Sequence, residues 1–242
     1  MITPELLGRA FGDAPDPEMA RVAFSRMGER REVREVLERP EVIPAAARLL
    51  GFSTAAADFF LAHPEELECL ADVRPRALGE LVPEASQSVV AFGPEAGLRR
   101  FRRRASYRVA ARDLAGAPVD EVMVELSAIA DTCLRVAASA VGDDELAIVA
   151  MGKLGGLELN YSSDVDVLFL HRSPGGEAQA AASASAAAVV SLLSHPTVDG
   201  IALRVDPNLR PQGRAGPLSR SLDAMVDYYA RHAESWERQA LL

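Results

Sequence analysis

The sequence predicts an α+β protein in which a helical N-terminal region precedes a small mixed β-sheet core flanked by helices. Three patterns lead to this prediction. Apolar residues recur at helical spacing through much of residues 17–141, two strand-like runs enclose a glycine-rich turn at residues 147–170, and a third alternating run follows at 201–206. We place the domain boundary near residue 95, which gives a helical region at 1–95 and a sheet-containing domain at 96–242.

Composition and charge restrict the class of protein. The 242 residues, of which 49% are hydrophobic, suffice for one large domain or two small ones. A net charge of −9 argues against a general nucleic-acid-binding protein, which needs a basic surface. Cys69 and Cys133 are too few for a disulfide framework. With no signal-like leader and no run of about 20 apolar residues, we expect a cytoplasmic protein that does not bind or span a membrane.

Proline and glycine divide the N-terminal region into short pieces. Residues 1–16 are expected to form a poorly ordered arm and residues 72–94 a flexible connection, because both stretches are rich in these residues. Between them the apolar spacing predicts helices over 17–37, 43–50, a segment following Ser53, and 64–70. Ser53 is placed to cap the third of these helices.

An arginine-rich helix is predicted over 98–116. Its apolar residues recur at helical spacing, and its basic residues are Arg99, Arg100, Arg102, Arg103, Arg104, Arg108 and Arg112. Two interpretations are open: a solvated face that pairs with the abundant acidic residues, or a surface that contacts nucleotide phosphates or an acidic partner. A long apolar helix over 118–141 follows.

The candidate site residues are concentrated in residues 147–172, which read AIVAMGKLGGLELNYSSDVDVLFLHR. Strands are predicted at 147–151 and 165–170, and side-chain alternation places Asp164 and Asp166 on one face. Two such carboxylates suit Mg²⁺ together with phosphate oxygens. The backbone amides of Gly155 and Gly156, with the charge of Lys153, could hold a phosphate. The alternative is an ordinary turn followed by solvated aspartates.

A third carboxylate follows later in the chain. A helix is predicted over 179–194 and a strand over 201–206, and Asp206 lies at the end of that strand. Arg210 and Arg214 lie in the following Pro/Gly-rich loop, where they could bind phosphate or pair with acids. The remaining residues, 222–242, are expected to be helical, with core and helix-packing roles for Tyr228, Tyr229 and Trp236.

The segment GKLGGLELNYSSDVDVLF resembles the signature of the glutamine synthetase adenylyltransferase/adenylyl-removing enzyme family, part of the DNA polymerase beta-like nucleotidyltransferase superfamily. Two later stretches are similar to later segments of that family, namely RVDPNLRPQGRAGPL and DYYARHAESWERQALL. Asn208 stands where many relatives have a basic residue, and the resemblance is weaker before residue 98.

The resemblance implies a function and a set of site residues. It implies the N-terminal, adenylyl-removing half, which uses phosphate to release adenylyl groups from a tyrosine of glutamine synthetase as ADP. It assigns catalysis and Mg²⁺ binding to Asp164, Asp166 and Asp206. Nucleotide or phosphate binding falls to Lys153, Gly155, Gly156, Ser163, Arg210 and Arg214. Glutamine synthetase and, for a longer enzyme, the PII signal protein are the implied partners.

Two alternatives remain open. The same motif serves ATP-dependent adenylylation of glutamine synthetase, the opposite reaction on the same scaffold. The family enzyme is a much longer chain, and this one is expected to stop within the helix after the first catalytic motif set. It could therefore be a fragment that binds the synthetase without turning it over.

Overall fold

The computed structural model describes residues 4–240, in which the chain divides into two compact units, each made of two separate segments. The first unit comprises Met1–Pro75 and Arg103–Val122, and the second comprises Arg76–Arg102 and Met123–Leu242. The division does not test the predicted boundary near residue 95, which stays a prediction. None of the helices within residues 4–240 is long and apolar enough to cross a lipid bilayer.

In the described residues of the first unit, all the regular secondary structure is helical. Local capping explains where two of its helices begin: Asp16 accepts hydrogen bonds from two backbone amides of the second helix, and Ser53 accepts one at 3.2 Å from Ala56 N–H. Phe59 and Phe60 then pack against Tyr107 in the core. The helices are α1 (Pro4–Gly12), α2 (Pro17–Gly28), α3 (Arg31–Leu37), α4 (Ile43–Leu50), α5 (Thr54–Ala62), a 3₁₀ helix (Pro64–Ala71) and the C-terminal part of α6 (Leu78–Asp113).

Two predictions of disorder are wrong. Residues 4–12 form α1, which buries Ala10 against Ile43 and Ala47, whereas residues 1–3 lie outside the described part. Residues 78–92 form the first part of α6, and Gly93, with φ +80 and ψ 164, interrupts that helix. The chain turns back there, and Gly97 lies so close to Ser88 that an added Cβ would meet its carbonyl oxygen at 2.5 Å. The Pro and Gly residues of this stretch thus shape a close helix pair.

The second unit holds the β-sheet, and the α+β fold class is confirmed. β1 (Leu146–Ala150) pairs antiparallel with the central strand β2 (Val165–His171). β3 (Val205–Asp206) and β4 (Ser219–Ser221) both pair parallel with β2 on its opposite edge. The sheet is therefore mixed, as predicted. Its helices are the N-terminal part of α6, α7 (Val119–Val141), α8 (Gly152–Gly155), α9 (Gly176–Ser194), a 3₁₀ helix (Gly213–Ala215), α10 (Leu222–Arg231) and α11 (Ser235–Gln239).

The C-terminal part of the sheet-containing unit departs from the sequence prediction in two places. Only Val205 and Asp206 of the predicted strand 201–206 pair with β2, because residues 201–204 follow an irregular path. The C-terminal helix is broken between α10 and α11. Tyr229 packs beside Met225 as expected, but Trp236 is 53% exposed, so its predicted core role is wrong.

The basic face predicted for α6 is partly internal. Arg99 is completely buried and donates to the carbonyl oxygens of Gly200 (2.8 Å), Glu95 (2.8 Å), Leu192 (3.1 Å) and His195. It therefore satisfies carbonyls at the C-terminal end of α9, which that helix cannot satisfy itself. Within the first unit, Arg104 pairs with the buried Glu66. The prediction of a solvated face is thus wrong for Arg99, whereas the predicted pairing with acidic residues is found at Arg104. Phosphate contacts by the other arginines stay a prediction.

We expect Arg99→Met to destabilise the protein by about 3 kcal/mol or more, since it removes a buried charged donor on which four carbonyl oxygens converge. Arg135→Met is the matched control, because Arg135 is exposed and pairs only along its own helix with Asp131. The control should cost less than about 1 kcal/mol. Urea unfolding of both variants checks the difference, and equal losses would contradict the role assigned to Arg99.

His171, at the end of β2, is buried and its Nδ1 lies 2.8 Å from Oγ of Ser219 on β4. Burial lowers the pKa of this imidazole, against the opposing effect of Asp143 and Glu145. The unfolded chain therefore binds a proton at a higher pH than the folded protein does. The stabilisation is complete above the unfolded pKa of about 6.5 and is lost as the pH falls below it.

We expect the free energy of unfolding to fall on acidification below about pH 6.5, with a slope of at most about 1.4 kcal/mol per pH unit from this residue. His171→Asn should flatten the dependence, because it removes the titrating group. Val198→Asn, at an exposed valine of the same unit, changes no titrating group, so it is the control and should leave the slope unchanged. Urea titrations between pH 5 and 8 measure these slopes, and an unchanged slope in His171→Asn would refute the assignment.

Candidate active site

The candidate site is centred on two carboxylates that the sheet places side by side. In the parallel pairing of β2 with β3, Asp166 lies directly opposite Asp206. Adjacent strands are about 4.8 Å apart, and directly paired residues point to the same face of a sheet. Both aspartates are half-buried. Although they are 40 residues apart in sequence, the fold therefore holds both carboxylates at one place.

The electrostatics of Asp166 reflect this crowding. Burial is the main cause that raises the pKa of its carboxyl group, and the charges of Asp206 and then Asp164 raise it further. The ammonium group of Lys153 acts in the opposite direction. Ionised carboxylates at this place therefore repel one another, and a bound cation would relieve the repulsion.

Asp164 precedes β2 and has a different partner. Its Oδ1 lies 2.5 Å from Nε of Arg204, and the same guanidinium donates to the carbonyl oxygen of Ser162. Arg204 was not among the predicted site residues. Its position two residues before Asp206 in Arg-Val-Asp, and hence on the same side of an extended chain, is the signal that could have identified it.

The donor set fits a divalent cation in part. Asp166 and Asp206 supply adjacent carboxylate oxygens, which Mg²⁺ prefers. Asp164 is directed at Arg204, and within residues 4–240 no three carboxylate, imidazole or thiol groups are placed to hold one metal ion. The paired aspartates are therefore the part of the predicted triad that fits a metal as the side chains stand, and the Mg²⁺ dependence stays a prediction.

A tight backbone turn lies directly beside Asp166. Met151 N–H donates to the carbonyl oxygen of Asp166 at 2.9 Å, and the chain then turns at Gly152 with φ +51. A Cβ on Gly152 would lie 3.1 Å from Oδ2 of Asp166. Gly152 therefore combines a left-handed backbone with a close approach to the carboxylate, and both features favour glycine. Gly152 belongs to the glycine-rich turn that the sequence predicts, but it was not among the residues assigned to phosphate or metal binding.

The predicted phosphate-binding residues lie near this turn, in different settings. Gly155 and Gly156 donate their N–H groups to Met151 and Gly152 within α8, so the turn itself uses those two donors. Lys153 is exposed on the same short helix. The hydroxyl of Ser163 accepts from Asn160 N–H at 3.2 Å and closes the turn that precedes Asp164.

The loop between β3 and β4 carries the two remaining predicted residues. Arg210 is half-buried and donates to the carbonyl oxygens of Gly216 (3.2 Å) and Pro207 (3.0 Å), so it braces this loop. Burial lowers the pKa of its guanidinium, with Asp206 opposing and Arg214 adding to the shift. Arg214 is exposed. Arg210 thus has a structural role next to Asp206, and a role in phosphate binding remains a prediction for both arginines.

Comparison with known proteins decides the family. The family model for glutamate-ammonia ligase adenylyltransferase matches residues 44–242. The chain belongs to this family. Relatives from Streptomyces avermitilis and Streptomyces coelicolor are 38% and 37% identical over 99% of the chain, and one from Mycobacterium avium is 35% identical over 95%. All three are named bifunctional glutamine synthetase adenylyltransferase/adenylyl-removing enzyme.

The match confirms the resemblance inferred from the motifs. The chain spans about a quarter of the length of these relatives, 26% in each case. The adenylyltransferase family therefore accounts for the whole of the present chain, whereas the chain corresponds to one part of the larger relatives. Which of the two activities in their name this part carries is not decided by the family.

For this adenylyltransferase-family turn, we expect Gly152→Ala to lower the free energy of unfolding by about 1–2 kcal/mol, because a side chain there combines backbone strain with a close contact to Asp166. Gly156→Ala is the control: its φ is −80, and an added Cβ would meet only ordinary contacts at 3.6 Å or more. It should change stability by less than about 0.5 kcal/mol. Urea unfolding measures both, and equal effects would contradict the special role of Gly152.

Proposed function

We propose that this chain removes adenylyl groups from glutamine synthetase by phosphorolysis. Family membership supports the chemistry, since the relatives are named for adding and removing adenylyl groups. The single observation that carries the proposal is the in-register pair of Asp166 and Asp206, held beside the Gly152 turn. Assignment to the removing half rests on the motif resemblance described above.

The proposed reaction transfers the adenylyl group from a tyrosine to phosphate. An oxygen of inorganic phosphate attacks the α-phosphorus, the bond from that phosphorus to the tyrosine oxygen breaks, and ADP is formed. The departing phenolate takes a proton from solvent and regenerates tyrosine. Because a tyrosine hydroxyl has a pKa near 10, the phenolate is a better leaving group than an alkoxide. Such transfers depend mainly on positioning and on electrostatic stabilisation.

Each site residue has a proposed part in that positioning. Asp166 and Asp206 would hold Mg²⁺, with Asp164 as a further ligand if its side chain leaves Arg204. Bound there, Mg²⁺ would neutralise the phosphoryl oxygens and stabilise the leaving phenolate. Lys153 adds positive charge close to Asp166, which favours an anionic ligand at this place. Arg210 shapes the loop next to Asp206, and the exposed Arg214 is available for phosphate.

The opposite reaction, ATP-dependent adenylylation of glutamine synthetase, is the second candidate, because the names of the relatives include both activities. Two assays separate the candidates. Adenylylated synthetase carrying a labelled adenylyl group, incubated with phosphate and Mg²⁺, yields labelled ADP only if the chain removes the group. Unmodified synthetase with labelled ATP becomes labelled only if the chain adds it. A chain that binds the synthetase but gives neither product would be a non-catalytic fragment.

We expect Asp166→Asn and Asp206→Asn each to lower the rate of ADP formation by about 100-fold or more, since each removes a charge that the transition state depends on. Asp166→Asn should retain or raise the melting temperature, because it removes both the cost of burying the charge and the repulsion from Asp206 and Asp164, which together raise the pKa of this carboxyl group. Asp144→Asn, at an exposed aspartate before β1, is the control and should retain activity. Near wild-type ADP formation by either site variant would refute the proposed site.

A further inference from the structure

The segment 157–163 joins the Gly152 turn to Asp164 and begins with an unusual leucine. Leu157 has φ +58, a left-handed conformation that bulky side chains rarely adopt. It follows α8, where its N–H donates to Leu154 and the next amide donates to Lys153. This is a Schellman helix ending, whose left-handed position is normally a glycine. The chain thus has a strained leucine where a glycine would fit better.

The side chain of Leu157 is only partly buried within its unit. Leu157 is 52% exposed, and Tyr161 in the same segment is 36% exposed. About half of the strained leucine is therefore left available for contact with another molecule. Strained backbone is found preferentially at sites of function.

The segment is also firmly held. Leu159 is buried, and its N–H donates to Ser127 Oγ at 3.2 Å. Arg102 donates to the carbonyl oxygen of Tyr161 at 3.0 Å, and Arg204 donates to that of Ser162. A turn closed by Asn160 and Ser163 completes the bracing. The two exposed side chains are thus presented on a preorganised surface, which lowers the entropic cost of binding.

From these observations we propose that Leu157 and Tyr161 form a docking surface for the protein that bears the adenylylated tyrosine. The proposal rests on the function proposed above and adds the place where the protein substrate binds. An aliphatic side chain offers a nucleotide no hydrogen bond or charge, whereas it suits an apolar patch on a protein surface. The position of the segment immediately before Asp164 would bring that surface next to the carboxylates.

The test compares a protein substrate with a minimal one. Leu157→Gly removes the side chain and the strain, Leu157→Asn removes the apolar contact and tolerates the left-handed backbone, and Leu157→Met retains an apolar group. Val198→Asn, at a fully exposed valine elsewhere in the unit, is the control. Binding to immobilised adenylylated glutamine synthetase is measured directly, without turnover, and ADP formation is measured with that protein and with free adenylyl-tyrosine.

We expect Leu157→Gly and Leu157→Asn to weaken binding to the synthetase by about 10-fold or more, while Leu157→Met and Val198→Asn stay within about twofold. ADP formation from free adenylyl-tyrosine should be unchanged. Leu157→Gly should also melt about 2–4 °C higher than the wild type, because it relieves the strain.

Unchanged binding by Leu157→Gly, with a raised melting temperature, would overturn the proposal. Leu157 would then be a strained residue at a helix end without a role in binding. Equal losses with free adenylyl-tyrosine would also overturn it, since the leucine would then contact the nucleotide. If the wild type forms no ADP from either substrate, the proposed function fails. The binding comparison still decides whether this surface holds the synthetase.

Discussion

The repulsion between two paired carboxylates is the constraint around which the second unit is built. Asp166 and Asp206 face each other across a parallel strand pair of only two residues. That pairing is maintained by strong apolar packing farther along the central strand, where Leu168 lies against Met151 and Met225. The sheet thus stabilises a charged arrangement that is unfavourable by itself, as is common where a site must hold cations or anionic substrates.

The surroundings of Asp166 could be predicted because its strand and the glycine turn before it are local in sequence. The run Val-Asp-Val-Leu-Phe-Leu predicts a strand with alternating faces, and the preceding glycines predict a turn. That Asp206 joins Asp166 followed from the alternation in Arg-Val-Asp together with the family resemblance. The pairing of Asp164 with Arg204 could not be predicted in the same way, since the partner of an exposed carboxylate depends on side-chain geometry and not on a periodic pattern.

The errors in the fold share a physical cause. Pro and Gly indicate breaks in a helix, but they do not distinguish a loose linker from a tight reversal such as the one at Gly93. Helical periodicity likewise identified the α6 segment without showing that Arg99 would be buried. A guanidinium is buried only when several acceptors converge on it. For Arg99 these are the carbonyl oxygens of Glu95, Leu192 and Gly200, which are far apart in sequence. Tertiary context decides such cases.

The discontinuous path of the chain has a consequence for biosynthesis. The first unit ends at Val122, whereas the second begins at Arg76 and includes residues as late as β4 and the helices after it. Every residue of the first unit has therefore been synthesised while the ribosome is still making the strands of the second. During that interval Arg99 lacks its acceptors at Leu192, His195 and Gly200. In a nascent chain the guanidinium of Arg99 thus stays in water until the residues after α9 have been made.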